Sequence, residues 1–316
     1  MRTKAYAPAS IGNVSLGFDL LGAALQPIDG TALGDWVEVI DADEFGLSVD
    51  GAFAHKLPTG AKENIVTLCH DYFNQRLAEQ QIRPKTVRMH LHKVLPIGSG
   101  LGSSASSIVA AFVALNQHAG GIFGKDTLLA MMGELEGQIS GSIHYDNVAP
   151  SYLGGLTLMT GQASPIALTL PSFESWYWVV CYSGISVSTA AARKLLPLHY
   201  SLQDTLTFGR QLGVFIQSLY ARNETLAATM MTDVIAEQHR KVLLPRFDDA
   251  RVACMQSGAL AFGISGSGPT VFAVANTLLS AQKMQDWLAK EYIQNEDGFS
   301  HICKLNTTGA SLLDSE

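Results

Sequence analysis

Long apolar runs are missing from this 316-residue chain, and so is any concentration of positive charge. The most apolar run of the first half, Ile108 to Leu115, falls far short of the roughly 18–20 residues of a spanning helix. Arg2 and Lys4 have no apolar stretch behind them, so no secretory signal is expected. No run of Lys or Arg interrupts the formal net charge of −7, which disfavours nucleic acid as a partner and leaves any anionic ligand to be held by a local arrangement. The four cysteines (Cys69, Cys181, Cys254, Cys303) are scattered without zinc-like spacing and read as buried or half-buried thiols in a reducing compartment. There is no low-complexity tract and no repeat of 20–50 residues. What remains is a cytoplasmic globular protein, long enough for two ordinary domains.

Glycine, by contrast, is plentiful, with 29 residues. In the first half, strand-like runs at Lys4–Ala7, Trp36–Ile40 and Val87–Leu91 alternate with helical patterns at Asn64–Ala78, Ser104–Gln117 and Asp126–Ile139, the last with Asp126 as N-cap. In the second half, strands are expected at Leu156–Met159, Trp176–Cys181, Ala259–Ile264, Thr270–Ala275 and His301–Leu305. Helices are expected at Thr189–Leu196, Gln203–Tyr220, Glu224–Met231 and Ser280–Tyr292. Both halves are therefore mixed α and β, with a boundary near Gly154–Gly155.

The strongest local signal is Leu95-Pro96-Ile97-Gly98-Ser99-Gly100-Leu101-Gly102-Ser103-Ser104-Ala105-Ser106. Glycines at alternate positions open backbone conformations closed to other residues and clear side chains from the approach path. The helix that follows begins with unpaired amides at the positive end of its dipole, so loop and helix start together form an anion seat without a basic side chain. Ser103 and Ser104 stand where hydroxyls can cap the helix or reach a phosphate or magnesium ion. No G-x-x-x-x-G-K-[ST] occurs, the glycines run G-x-G-x-G rather than G-x-G-x-x-G, and the protein-kinase motifs are missing.

This string resembles the second motif of the GHMP kinases. Ala7-Pro8-Ala9-Ser10-Ile11-Gly12-Asn13 resembles their first, and Gly263-Ile264-Ser265-Gly266-Ser267-Gly268-Pro269-Thr270 their third, in the family's order across nearly the whole chain. Gly17–Gly22, Gly141–Pro150 and Gly184–Arg193 resemble the homoserine kinase branch of enterobacterial type. The resemblance implies an α+β, two-domain GHMP kinase fold. Residues 1–155 would form a nucleotide-binding domain like ribosomal protein S5 domain 2, and residues 156–316 a ferredoxin-like domain. It further implies ATP-dependent phosphorylation of the L-homoserine hydroxyl with Mg2+, in threonine biosynthesis, by a cytoplasmic homodimer.

Residue roles follow by the same resemblance. ATP would be held by Pro96 to Ser106, with Asn64 a candidate for adenine, and by the third-motif loop Gly266, Ser267 and Gly268. Magnesium would sit on Ser104 and Glu136, the neighbouring Glu134 being the alternative carboxylate. Homoserine would meet Asn13, Asp19, His144, Asn147, Arg193 and Arg240. A guanidinium fork suits an α-carboxylate, an anion suits an ammonium group, and Asn147 would lie near the reacting hydroxyl. Ala236-Glu237-Gln238-His239-Arg240 lacks the proline that relatives carry after the glutamate. No general base is assigned, because no lysine stands where the Asp–Lys pair of some GHMP kinases would form. A GHMP kinase for an isoprenoid or sugar alcohol, and a GHMP-fold sensor or regulatory partner that binds nucleotide or amino acid without catalysis, are the competing readings.

Overall fold

The computed structural model describes residues 1–58, 60, 63–141 and 143–313. Ser142, within the Gly141–Pro150 stretch, and the last three residues of the second expected domain lie outside the described residues. The first half runs β1 (Arg2–Pro8), β2 (Ser10–Gly12), β3 (Leu21–Pro27), β4 (Gly34–Asp41), β5 (Gly46–Asp50), α1 (Ile65–Glu79), β6 (Val87–His92), α2 (Ser103–His118), α3 (Lys125–Ser140) and α4 (Val148–Leu153). The second begins with β7 (Leu156–Met159), β8 (Ala167–Leu170), β9 (Tyr177–Tyr182), α5 (Thr189–Lys194), α6 (Leu202–Tyr220), α7 (Glu224–Met230) and α8 (Glu237–Arg240). It ends with α9 (Phe247–Gln256), β10 (Ala261–Ile264), β11 (Val271–Ala275), α10 (Leu278–Glu291), β12 (Phe299–Leu305) and β13 (Ser311–Leu313).

Two sheets organise these elements. The first has the order β13-β1-β4-β6-β5, antiparallel except for the β5–β6 pair. Its inward residues Ala5, Val37, Val39, Met89 and Leu91 pack with Val66 and Phe73 of α1 and Ile108 and Phe112 of α2 in one core. Alternation along β4 and β6 is what places these side chains on a single face. The second sheet has the order β10-β11-β9-β12-β3-β7-β8, with β2 paired to β3. Strand β9 is covered on both faces: Trp178 and Val180 join the core holding Phe215 and Leu219 of α6, while Val179 and Cys181 join the core holding Cys254 and Met284. Two-sided burial explains why it reads as a continuous apolar run. A division at residues 155–156 does not follow the sheets. The second sheet takes β2 and β3 from before it, and the first takes β13 from after it.

The four cysteines are buried and free. Burial raises the Cys181 and Cys254 thiols to about 12, so they behave as inert core residues. Among the described residues no helix is long and apolar enough to cross a membrane. One cap differs from expectation. Gly124, not Asp126, is the N-cap of α3; Asp126 lies inside the first turn, where a carboxylate still favours the dipole, and accepts a hydrogen bond from Ser164.

Candidate active site

A cleft of about 950 Å3 opens between the sheets, and the glycine loop forms its floor. Gly98, Gly100 and Gly102 all have left-handed φ, of 67°, 83° and 64°. Every carbonyl from Ile97 to Leu101 accepts a bond from another segment: from Ser186 Oγ, Val187 N, Thr270 N, Ser265 Oγ and Ser10 N, in that order. Because a trans peptide sets its N–H opposite its C=O, the amides that follow point the other way. Packing thus turns the loop's acceptors into the protein and leaves donors for an anion, apart from Leu101 N, which bonds Ser99 Oγ at 3.3 Å. An added Cβ would meet Ser186 Oγ at 2.2 Å from Gly98, Ser265 O at 2.5 Å from Gly100 and Ser10 Oγ at 2.3 Å from Gly102. The glycines therefore do more than clear a phosphate path: each lets a separate segment close on the loop.

A buried ion pair fixes the back of the loop. Lys93 lines the cleft and donates to Asp35, to the Ser103 carbonyl at 2.9 Å and to Ser107 Oγ at 2.9 Å. Asp35 is fully buried and also accepts from Val94 N and Leu95 N. A lysine therefore stands behind the loop, a position that the motifs do not single out. Its partner is distant in sequence, and no local pattern marks the pair. With its remaining acceptor sites filled, the Asp35 carboxylate is compensated, and loss of either partner would strand a buried charge.

Glu136 of α3 lines the cleft and accepts a 2.7 Å bond from Ser104 Oγ. Burial raises the Glu136 carboxyl, against the opposing effects of the Ser104 bond and the Lys93 charge. A cation beside that carboxylate would relieve its desolvation, and one carboxylate with one hydroxyl matches the sparse protein ligation typical of magnesium. Glu134 faces α1 instead, where it accepts from the Tyr72 hydroxyl.

On the opposite wall, Asn13, Val14 and Ser15 have φ of 69°, 47° and 63°, and Asp19 has 58°. Left-handed backbone is costly for residues with a Cβ, especially a β-branched one, so this wall stores strain. It is held by Asn13, whose Oδ1 accepts from Asp19 N at 2.9 Å and whose Nδ2 donates to Gly266 O at 3.1 Å. Arg240, only 3% exposed, donates to the same carbonyl at 3.0 Å. Arg193 Nη2 bonds both Asp19 oxygens at 2.9 and 3.0 Å. The two guanidiniums lie 5.5 and 5.1 Å from the Phe18 ring centroid, a contact invisible in the sequence. Nε of each arginine is buried without an acceptor among the described residues. Burial first, then the Arg193 charge, lowers the Arg240 pKa. Two cations with buried, unanswered donors make a seat for a carboxylate.

His144, Asp146 and Asn147 close the site. His144 Nδ1 lies 3.4 Å from Arg193 Nη2 and 3.7 Å from Asp19 Oδ1, and burial lowers its pKa. Asn147 Oδ1 accepts from Ser10 Oγ at 3.0 Å. Burial, then the Asp19 charge, pushes the Asp146 carboxyl up to about 7. A raised carboxyl pKa contributes stability that is fully present below the unfolded value near 4 and lost as pH rises through about 7. Asp146→Asn should therefore stabilise the protein relative to wild type at pH 8, by on the order of 3 kcal/mol, and barely at pH 4. Denaturant titrations at the two pH values measure this; a pH-independent difference would mean the carboxyl is not so perturbed.

Not every expected contact lines the cleft. Ile97, Gly98, Ser99, Gly100, Gly102, Ser103, Ser104, Gly266 and Ser267 do. Pro96, Leu101, Ala105 and Ser106 are buried behind the loop, Ser106 bonding the Ala7 carbonyl, and Gly268 packs against Leu244 and Ile264. Asn64 is the α1 N-cap, its Oδ1 accepting from Val66 N. The apolar wall beside it is Leu57, Pro58, Ile65 and Leu68, the kind of lining that suits a nucleobase.

Comparison with known proteins adds to this geometry. Family models described as the GHMP kinases N terminal domain and the GHMP kinases C terminal match residues 64–155 and 215–294. The crystal structure of homoserine kinase from Cytophaga hutchinsonii is 32% identical, with 99% of this chain and 97% of that one covered and a TM-score of 0.87. A Listeria monocytogenes protein provisionally named a homoserine kinase is 22% identical, with 99% and 100% covered and a TM-score of 0.72. Methanococcus jannaschii mevalonate kinase is 14% identical, with 96% and 98% covered and a TM-score of 0.68. The last two likenesses bear on the fold alone.

Proposed function

The chain belongs to the GHMP kinases, and we propose that it transfers the γ-phosphoryl group of ATP to the side-chain hydroxyl of L-homoserine, giving ADP and O-phospho-L-homoserine. The observation that carries this reading is the pair of arginines with buried, unanswered Nε–H groups, Arg193 and Arg240, set beside the Asp19 carboxylate. An acceptor bearing both a carboxylate and an ammonium group answers all three; a sugar alcohol answers none, and mevalonate, with a carboxylate but no ammonium group, leaves Asp19 unanswered. The proposed setting is threonine biosynthesis in the cytoplasm, with the chain as a homodimer.

Phosphoryl transfer has a loose transition state, so the protein's work is positioning and charge neutralisation. Loop amides from Gly98 to Ser104, backed by the α2 dipole, hold the β- and γ-phosphates. Magnesium on Glu136 and Ser104 would supply charge neutralisation at the phosphate oxygens. Arg193 and Arg240 take the α-carboxylate, and Asp19, oriented by Asn13 and flanked by His144, takes the ammonium group. Asn147, next to Gly102 at the end of the loop, orients the hydroxyl.

Arg193→Ala should raise KM for homoserine by about 100-fold, the scale of losing one buried charge-assisted contact, with KM for ATP nearly unchanged. An unchanged homoserine KM would place Arg193 outside the acceptor site. The proposed function itself is tested by ADP release with homoserine, threonine, serine and mevalonate as acceptors. Homoserine should give the highest kcat/KM; preference for mevalonate would end the reading.

A further inference from the structure

The charges that would receive the two ends of an amino acid are already paired with each other. Arg193 Nη2 bonds both Asp19 oxygens, and the two side chains are 34% and 31% exposed, so solvent only partly screens the pair. The left-handed backbone of Asp19 is pinned through Asn13 Oδ1, and both oxygens of its carboxylate accept from Arg193 Nη2. Arg193 is held from other directions by the Phe18 ring and by His144 Nδ1. A ligand must therefore engage a standing ion pair rather than two separate charges.

We propose that the Asp19–Arg193 pair is a specificity device that admits acceptors carrying both an α-carboxylate and an α-ammonium group and discriminates against those carrying one. This rests on the homoserine reading and adds a coupling between the two charges. A carboxylate alone competes with Asp19 for Arg193 and sits beside a like charge. An ammonium group alone reaches Asp19 only beside the Arg193 and Arg240 guanidiniums, which repel it. A zwitterion sets each of its charges against the opposite member of the pair, so neither member loses a partner. Discrimination of this kind comes from the repulsion built against the wrong ligand as much as from attraction to the right one.

The sign of one substitution separates this from simple contact. Asp19→Asn keeps the left-handed conformation, which Asn tolerates better than other residues with a Cβ, and removes the charge. Homoserine should lose about 100-fold in kcat/KM. 4-Hydroxybutanoate, which is homoserine without its amine, should gain about tenfold over wild type, because Arg193 is released and the repelling carboxylate is gone. Loss on both acceptors, or no change on 4-hydroxybutanoate, would overturn the proposal. In the wild type, binding of homoserine, 4-hydroxybutanoate, 3-aminopropan-1-ol and propan-1-ol forms a cycle that needs no variant. The two charges together should strengthen binding at least tenfold more than the product of their separate effects, and additivity would count against the pair. Failure of wild type to phosphorylate homoserine at all would instead remove the parent reading, so the two failures are distinguishable.

Discussion

Glu136→Gln is expected to lower kcat by about three orders of magnitude or more, the scale of losing a charge that organises phosphoryl transfer, while the protein remains folded. The substitution preserves size and can still accept the 2.7 Å bond from Ser104 Oγ, so what it removes is charge. Burial raises the Glu136 pKa. A raised carboxyl contributes stability that is lost as pH rises through the folded value, so Gln at that position should leave the melting temperature at pH 8 unchanged or higher. A slow enzyme that melts no earlier is the signature of a carboxylate kept for chemistry. Glu134→Gln is the matched control: its partner is Tyr72 on α1, and kcat should stay near wild type. Steady-state turnover with calorimetric melting of both variants decides between them, and near-normal turnover of Glu136→Gln would take that residue out of the proposed metal site.

Gly100→Val should abolish measurable ATP binding, a loss of at least about 100-fold, consistent with several kcal/mol of clash and strain. The sequence suggests that a side chain at Gly100 would fill the phosphate path, but the structure gives a different reason. A Cβ at Gly100 would sit 2.5 Å from Ser265 O and 2.9 Å from Gly268 O, both backbone atoms, and the residue's φ is 83°. The substitution must therefore force the glycine loop away from the third-motif loop, breaking the Ser265–Gly100 and Thr270–Ser99 bonds that turn the carbonyls inward. Amides freed from that arrangement no longer converge. Gly100→Ala carries the same clash with less bulk and should lose nearly as much. If Gly100→Ala bound ATP normally, the loop's orientation could not depend on that contact. Circular dichroism beside calorimetric titration separates a misplaced loop from an unfolded chain.

What was legible in the sequence was what is encoded locally. Three alternating glycines before a small-residue helix announce a left-handed loop and an open helix start, and both are present in that order. Alternation in Trp36–Ile40 and Val87–Leu91 placed β4 and β6 because one face of that sheet is buried. Strands β2 and β3 escaped notice because they are made of small and aliphatic residues buried at nearly every position, with no polar alternation to mark them. Helix α9 was missed for the opposite reason: Phe247, Ala250 and Cys254 are its only buried residues, diluted among charged ones.

At the site, most of the residues named from the motifs line one cleft, but the reasons they hold their places are long-range. Asp35 lies on β4 and Lys93 just past the end of β6, and Phe18 serves two arginines that lie on α5 and α8. The Gly266 carbonyl gathers Asn13, 253 residues away in sequence, and Arg240, 26 residues away. None of these pairings has a spacing that a reader of the sequence could use. They belong to the topology, in which β2 and β3 cross into the second sheet and bring the first motif against the third.

The most direct test is a crystal structure of the protein with a non-hydrolysable ATP analogue, magnesium and homoserine. The terminal phosphates should lie against the amides of Gly98 to Ser104, with the homoserine carboxylate on Arg193 and Arg240 and its ammonium group on Asp19. A triphosphate bound away from that loop, or an acceptor seated elsewhere in the cleft, would contradict the account.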